Sequence, residues 1–313
     1  MLKHYSVLKN ELTRGLEWQG GVLLDCTLGF GGHSFAFLES NPNTQIYAFD
    51  RDSSAIALAK ERLKDYASRV CFYHHPFSHA LESLSDDVLK QTRGIIADIG
   101  VSSMQLDEEH RGFGFYSKSL DMRMDSQSPL SAQNVLNTYS LVQLETIFRI
   151  YGEIRQSKKL AHLIVEQRQK QPFESCLELS NLIERHFPRV GGLHPATLAF
   201  QALRIEVNDE LGELRTLLQS IENAFVKGVL YNCRVGIISF HSLEDRIIKQ
   251  YFKQWSKSCI CPQERYKCEC GNNHALGEIL TKKPIVPSKE EIAQNKRSRS
   301  AKLRIFALGE KYE

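Results

Sequence analysis

The strongest constraint on the fold is the alternation of short apolar runs with helical patterns through the first hundred residues. The apolar runs cover 22–27, 45–50, 70–74 and 94–99, and the helical segments cover 33–40, 53–65 and 78–90. Strands and helices that alternate in this way form parallel sheets with right-handed crossovers. The fourth run is almost wholly apolar, which is typical of a strand covered on both faces. The sequence therefore predicts an α/β fold.

The alternation stops after the fourth run. Residues 102–129 have no clean period and predict a long loop, and 132–188 have helical patterns. Apolar residues at steps of three and four predict one long helix over 195–227. Strands at 234–240 and 302–308 then complete the sheet. We expect a discontinuous domain, 1–108 with 199–313, and an inserted helical domain at 109–198.

Composition and charge limit the classes of protein to consider. The chain has 313 residues, 42% hydrophobic and 25% charged, as in ordinary globular proteins. No apolar run approaches the ~20 residues that a membrane helix needs, and the N-terminus lacks a signal-peptide core, so we expect a cytoplasmic protein without membrane association. The net charge is only +3, so nucleic-acid affinity would depend on local patches. The basic stretch at 282–304 is either such a patch or a solvated tail.

A glycine-rich turn follows the first predicted strand and indicates a nucleoside-containing cofactor. Gly29, Gly31 and Gly32 would let the backbone approach a ligand, and Asp50 at the end of the second strand would accept hydrogen bonds from ribose hydroxyls. The spacing is not the G-x-G-x-x-G of dinucleotide enzymes, which disfavours a nicotinamide-dependent oxidoreductase. S-adenosylmethionine has no pyrophosphate, and Asp98, at the end of the fourth strand, suits its charged groups.

Motifs further along the chain carry a family resemblance. They are the segments 98–107, 111–113, 121–125, 194–197, 200–204, 207–211, 238–246 and 295–304. With 4–8 at the N-terminus, they make the chain resemble the bacterial S-adenosylmethionine-dependent methyltransferases that modify the exocyclic N4 of a decoding-region cytosine in small-subunit (16S) ribosomal RNA. The resemblance covers nearly the whole chain in the same order.

The resemblance implies a class I (Rossmann-like) methyltransferase sheet with an inserted all-helical domain that recognises RNA. It also implies a set of cofactor contacts, which are Gly31, Gly32, His33, Asp50, Phe77, Asp98 and Gln105. Two positions depart from the family pattern. Met104 and Lys296 replace residues that are more often proline, and neither is an implied contact.

The chemistry predicted for this site is methyl transfer by in-line displacement. The cytosine amino group is a poor nucleophile, so a nearby acceptor would favour reaction, and Asp98 is the candidate catalytic residue. A purely cofactor-binding role for Asp98 stays open. The target base must leave its stack, and Phe113, Phe115 and Tyr116 could sandwich it or simply anchor the loop.

Four of the eight cysteines form two C-x-C pairs near the C-terminus, Cys259 with Cys261 and Cys268 with Cys270. Four thiolates could hold a zinc ion. The alternatives are a redox-sensitive group or four unrelated loop cysteines, and no metal is assigned from the sequence.

The predicted function is thus that of a ribosomal RNA cytosine-N4 methyltransferase whose partner is small-subunit RNA or the assembled subunit. A non-catalytic RNA-binding assembly factor that retains the cofactor pocket is the alternative. A homodimer is also possible, since the long helix could pack against a second copy.

Overall fold

The computed structural model describes residues 6–189, 192, 194–262, 264 and 267–310. His4 and Tyr5, with which the family resemblance begins, lie outside this part of the chain. The chain divides into two units, the first formed by Met1–Gly100 with Gly212–Glu313 and the second by Val101–Leu211. The insertion predicted at 109–198 lies wholly inside the second unit, which begins earlier and ends later.

A mixed sheet organises the first unit. Its strands are β1 (Gly21–Asp25), β2 (Thr44–Asp50), β3 (Val70–His74), β4 (Thr92–Asp98), β5 (Arg234–Ser239), β6 (Gly277–Ile279) and β7 (Lys302–Leu308). Among the described residues the strand order is β3-β2-β1-β4-β5-β7-β6. Strands β1 to β5 pair in parallel, and β7 is antiparallel to both β5 and β6. The four apolar runs of the opening segment are therefore β1 to β4, as predicted.

The helices connect these strands and build the second unit. In chain order they are α1 (Lys9–Gly15), α2 (Gly32–Ser40), α3 (Ser53–Arg62), α4 (Asp86–Gln91), α5 (Ser103–Asp107), α6 (Ala132–Thr138), α7 (Leu141–Ile150), α8 (Ser157–Lys170), α9 (Cys176–His186), α10 (Thr197–Asn208), α11 (Glu210–Val226), α12 (Ser242–Trp255) and α13 (Lys289–Gln294). The division between the two units falls within α11.

Side-chain caps determine where two of the crossover helices begin. Asp52 accepts a hydrogen bond from the Ser54 amide at 3.0 Å and starts α3. Ser85 accepts one from the Val88 amide at 3.4 Å and starts α4. The helix predicted over 78–90 is therefore wrong in its first half, because the chain forms a short 3-10 turn there and begins α4 only at the cap.

Two strand glycines make room for the N-terminal segment against the sheet. A Cβ atom on Gly236 would lie 2.6 Å from Cδ1 of Leu12, and one on Gly94 would lie 2.9 Å from Cζ3 of Trp18. Leu12 and Leu16 join the buried core with Leu23 on β1. Glycine at these positions lets the segment pack closely on the strands.

The second unit has its own core, drawn from α6 to α10 and the loop before them. The single helix predicted over 195–227 is wrong, since Asp209 adopts a left-handed conformation (φ 47°) between α10 and α11. The Asn208 side chain accepts a hydrogen bond from the Met124 amide at 2.7 Å and donates to the Met122 carbonyl at 2.8 Å. Through these hydrogen bonds the last residue of α10 fixes the loop that contains Met122 and Met124.

Candidate functional site

Three carboxylates lie at the same edge of the sheet. Asp25, Asp50 and Asp98 are the last residues of β1, β2 and β4, which are neighbours in the sheet and parallel. In open parallel sheets ligands bind outside the carboxyl ends of the strands, where the strand order reverses. Here the order reverses between β1 and β4, so these side chains border the expected cleft.

The glycine turn after β1 enters α2 in a conformation that favours glycine. Gly29 and Gly31 have φ of 51° and 71°, and Gly31 occupies the position before α2. A Cβ atom on Gly32 would collide with Oγ of Ser6. The left-handed conformation of Gly29 and Gly31 and the close approach of Ser6 to Gly32 explain why this turn needs glycine.

Asp25 holds the glycine turn through hydrogen bonds, a role that was not predicted from the sequence. Its carboxylate accepts hydrogen bonds from Ser34 Oγ at 2.6 Å and from the Thr27 amide at 3.2 Å. Thr27 Oγ1 in turn accepts from the Asp98 amide at 2.6 Å. Burial raises the pKa of Asp25 despite these hydrogen bonds. The sequence feature that could have indicated this role is the position of the aspartate, at the end of an apolar strand and directly before a glycine turn.

Asp50 is held by two backbone amides. Its Oδ2 accepts from Gly29 at 2.7 Å and its Oδ1 accepts from Asp52 at 2.8 Å. Burial raises the pKa of Asp50 to about 6, although both hydrogen bonds act in the opposite direction. Each carboxylate oxygen has a second lone pair, so Asp50 can still accept hydrogen bonds from hydroxyl groups of a ligand.

His33 and Asp98 lie together next to the turn. His33 Nε2 is 3.5 Å from Asp98 Oδ2. Two further atoms, Asp98 Oδ1 and His33 Nδ1, are buried and have no hydrogen-bond partner among the described residues. Buried polar groups in native proteins are nearly always paired, so both atoms point to a ligand. A ligand with hydroxyl and ammonium donors fits these acceptors, which is the donor set that S-adenosylmethionine offers.

Phe77 lies beyond β3, the strand next to β2, in the 3-10 turn Phe77–His79, and is half-buried. Glu213 of α11 fixes this turn, because its Oε2 accepts from the Ser78 amide at 3.3 Å. Glu213 Oε1 also pairs with Arg51 Nη2 at 3.0 Å, just after β2. Arg51 and Glu213 could not be identified from the sequence, since neither belongs to a local motif that would indicate such a contact.

Gln105 belongs to the second unit, where it helps to start α5. Its backbone amide donates to Ser102 Oγ at 3.2 Å, and in the reciprocal bond of this capping box the Ser102 amide donates to Gln105 Oε1 at 3.0 Å. The buried side chain of Gln105 thus has a structural role. Its contact with the cofactor stays a prediction.

The aromatic residues of the long loop differ in exposure. Phe113 is buried in the core of the second unit, and Phe115 stacks on His194 with ring centroids 4.3 Å apart. Tyr116 is 59% exposed and meets the same histidine edge-on at 5.8 Å. The first two rings anchor the loop, and Tyr116 remains available to a ligand.

Arg123 and Asp121 pair with each other within the loop. Arg123 Nε and Nη2 each donate to Asp121 at 2.8 Å, and Arg123 Nη1 donates to the Ser128 carbonyl at 2.7 Å. Burial raises the pKa of Asp121, but the hydrogen bonds from Arg123 outweigh it and leave the pKa lowered. The pair shapes the loop.

Arg304 and His241 both have structural roles. Arg304 lies in β7, is buried, and donates to Asp245 at 2.6 and 3.1 Å, so it is not available for a phosphate. Burial tends to raise the pKa of Asp245, but Arg304 outweighs this and lowers it. His241, with Glu244, forms the capping box of α12.

The four C-terminal cysteines converge. The sulfur atoms of Cys259, Cys261, Cys268 and Cys270 all lie within 4.8 Å of one another. The structure brings together the two C-x-C pairs that the sequence analysis singled out.

No helix within the described ranges is both long and apolar enough to cross a bilayer.

The strand order, with β7 antiparallel among parallel strands and carboxylates at the ends of β1, β2 and β4, defines a Rossmann-like methyltransferase. The chain belongs to the MraW methylase family, whose model matches residues 1–308. It is accordingly an S-adenosylmethionine-dependent methyltransferase, as the sequence predicted.

Curated relatives match over almost the full length. The chain is 67% identical over 309 residues to the ribosomal RNA small subunit methyltransferase H of Helicobacter hepaticus, with 98% of each chain covered. It is 52% identical to the protein of the same name in Aliarcobacter butzleri, with 97% and 98% covered. A solved rRNA methylase from Streptococcus thermophilus aligns over 99% of both chains at 10% identity and a TM-score of 0.38, too distant to bear on the assignment.

Proposed function

We propose that this protein transfers the methyl group of S-adenosylmethionine to the exocyclic N4 of a cytosine in the decoding region of small-subunit ribosomal RNA. The observation that carries the proposal is the buried, unpartnered Oδ1 of Asp98 at the end of β4, next to the glycine turn. The names of the relatives support the substrate.

The strand order gives the proposed direction of the cofactor along the sheet edge. Asp50 on β2 would accept hydrogen bonds from the ribose hydroxyls, and Phe77 beyond β3 would contact the adenine ring. On the other side of β1, Asp98 and the turn at Gly31 would hold the methionine portion, whose ammonium group suits an unpaired carboxylate oxygen. His33 and Gly32 complete this end, and Gln105 is a further contact that the family resemblance implies.

S-adenosylmethionine supplies, when bound, an electrophilic methyl carbon on a sulfonium. The chain has to align the cytosine amine with that carbon and exclude water, and such positioning is worth several kcal/mol. As the nitrogen–carbon bond forms and the carbon–sulfur bond breaks, the amine becomes positive and must lose a proton. As the alternative to binding the methionine ammonium, we propose that Asp98 Oδ1 accepts a hydrogen bond from the cytosine amine, stabilises its developing charge and takes the proton that it loses.

The second unit, Val101–Leu211, is proposed to contribute to RNA recognition. Its exposed cations include Arg149 on α7, Arg155 in the turn before α8, and Lys158 and Lys159 on α8. Such side chains suit phosphate contacts, which position a nucleic acid without reading its sequence. Tyr116 offers an exposed ring on which an extruded base can stack.

Transfer of labelled methyl groups tests the reaction. Purified protein is incubated with labelled S-adenosylmethionine and naked small-subunit RNA, partly assembled subunits or complete subunits, and the product is mapped by mass spectrometry. Label on N4 of one decoding-region cytosine is expected with at least one substrate. Binding of RNA without label on any of the three would favour the alternative, a non-catalytic assembly factor.

Replacement of Asp98 by asparagine separates its two possible roles. A catalytic role predicts a fall in kcat of at least tenfold with the Kd for S-adenosylmethionine nearly unchanged, whereas a binding role predicts a raised Kd. Asp65→Asn, an exposed aspartate elsewhere in the first unit, is the matched control and should alter neither value. Unchanged kcat and Kd in Asp98→Asn would contradict the proposal.

A further inference from the structure

We propose that Cys259, Cys261, Cys268 and Cys270 bind one zinc ion as four thiolates and that this ion fixes the segment between α12 and β6. The cysteines lie in a stretch that leaves α12 at Trp255 and reaches β6 at Gly277. This site is separate from the strand ends that are proposed to bind S-adenosylmethionine.

The sulfur positions match the geometry of a tetrahedral metal site. The Sγ atom of Cys259 lies 3.6 Å from that of Cys268 and 3.7 Å from that of Cys270, and the last two are 3.5 Å apart. A zinc–sulfur bond of about 2.3 Å places the sulfurs of a regular tetrahedron about 3.8 Å apart. A disulfide would instead bring two sulfurs to about 2.05 Å, and all four thiols are free.

Backbone amides reach the sulfurs in a crosswise pattern. The amide of Ile260, inside the first C-x-C pair, donates to Sγ of Cys270 at 3.5 Å. The amide of Glu269, inside the second pair, donates to Sγ of Cys261 at 3.3 Å. Each pair thus offers an N–H group to the second sulfur of the other. Such donors stabilise negative charge on sulfur, and the thiolate is the form that binds a metal.

The ligand set selects the metal. Four thiolates in a closed tetrahedron leave no position for water or substrate, which is the arrangement of structural zinc sites. Soft sulfur ligands disfavour magnesium, calcium and manganese, which prefer oxygen. The ion would therefore have a structural role, and it would not take part in methyl transfer.

The described residues around the cysteines lie near the surface. Ile260 is 63% exposed, and the cysteines themselves are exposed or half-buried. Polar contacts close its base, where the His274 amide donates to the Ser258 carbonyl at 2.9 Å and the Leu276 amide to that of Trp255 at 2.7 Å. Leu276 directly precedes the three-residue strand β6, which pairs with β7. A metal at the cysteines would therefore also fix the start of this edge strand.

Metal analysis of the full-length protein tests the proposal. Protein purified under reducing conditions from zinc-containing medium should carry about one zinc per chain. The double variant Cys261→Ser/Cys268→Ser, which removes one ligand from each pair, should lose at least nine-tenths of it. Cys71→Ser removes an exposed cysteine outside the cluster and should keep the full content. Iron in place of zinc, less than a tenth of an equivalent of zinc, or equal content in the double variant would each overturn the proposal.

A second measurement does not depend on the variants folding. In the wild-type protein a mercurial reagent should release the zinc as four thiols are titrated, and chelation should speed amide hydrogen exchange in β6 at least tenfold, with β1 unchanged. Release of zinc without modification of these cysteines, or exchange in β6 that chelation leaves unchanged, would contradict the assignment. Neither readout depends on methyltransferase activity, so the two proposals can fail separately.

Discussion

Asp50→Asn is the substitution whose effects on stability and on binding can be worked out most fully. The change keeps the shape of the side chain but removes its charge. One of the two backbone donors, Gly29 or Asp52, then faces an amide nitrogen in place of an oxygen. The ribose hydroxyls of the proposed cofactor lose an anionic acceptor.

The pKa of Asp50 sets the size of the effect on stability. Burial raises it from 3.8 to about 6, above the ~3.9 of an unfolded chain. Below pH 4 the Asp50 carboxyl is protonated in both the folded and the unfolded protein. Its contribution to the free energy of unfolding is then at its maximum. As pH rises through 6 this contribution is lost, and about 2 pKa units correspond to about 3 kcal/mol. About 2 kcal/mol of this should be lost between about pH 4.5 and pH 8.

Urea denaturation of wild type and Asp50→Asn across this pH range measures the effect, because all other groups cancel in the difference. The free energy of unfolding of wild type minus that of the variant should fall by about 2 kcal/mol from pH 4.5 to pH 8. Asp65→Asn is the control and should give a flat difference. At pH 8 the variant should bind S-adenosylmethionine about ten to a hundred times more weakly, the equivalent of one charged hydrogen bond. A flat difference for Asp50→Asn would refute the inferred burial of its charge.

Three further substitutions test other parts of the structure. Gly32→Ala should lower the free energy of unfolding in urea by less than about 1 kcal/mol, because the Ser6 hydroxyl that its methyl group meets can rotate away; a loss of several kcal/mol would contradict this reasoning. Asp245→Ala should cost about 3–5 kcal/mol at pH 7, since it leaves Arg304 buried and unpaired. The pKa of Asp245 is lowered in the folded protein, so this penalty should shrink as pH falls below about 4. Tyr116→Ala should lower kcat/KM for RNA about tenfold or more, with the Kd for S-adenosylmethionine within about twofold; equal loss in both would argue against base stacking.

The sheet could be predicted because its strands carry their own signal. Apolar runs bounded by polar turns predict β1 to β4, and the carboxylates at their ends follow from parallel pairing. The three-residue strand β6 could not be predicted, because it is too short to show a period. Its place depends on pairing with β7, a contact between distant parts of the chain.

The helix predicted over 195–227 shows where local patterns fail. Apolar residues keep steps of three and four through Asp209, so the sequence does not mark the break. The contacts of Asn208 with the backbone of Met122 and Met124 end α10, and they exist only once the loop has folded. Tertiary contacts outweigh helical periodicity at this position.

Some residues of the candidate site could likewise be predicted from local sequence patterns, whereas others depend on contacts between distant parts of the chain. Gly31, Asp50 and Asp98 stand in local patterns and were predicted from them or from the family resemblance. Arg51 and Glu213 could not be, because the turn at Phe77 depends on an ion pair between a strand end and a helix far along the chain. The pairing of Arg304 with Asp245 could not be predicted either, since a basic segment does not reveal that one of its members is paired in the core.

The placement of β5 beside β4 affects the order of events during synthesis. The two strands pair through Ala97 and Ile237, and the whole of Val101–Leu211 is made between them. At about 5–20 residues per second, the ribosome needs on the order of ten seconds to complete β5 after β4 has emerged. For that interval the nascent chain carries an apolar strand with an open edge, which is a site for aggregation. A translational arrest before Arg234 should therefore yield a product that needs a chaperone to stay in solution.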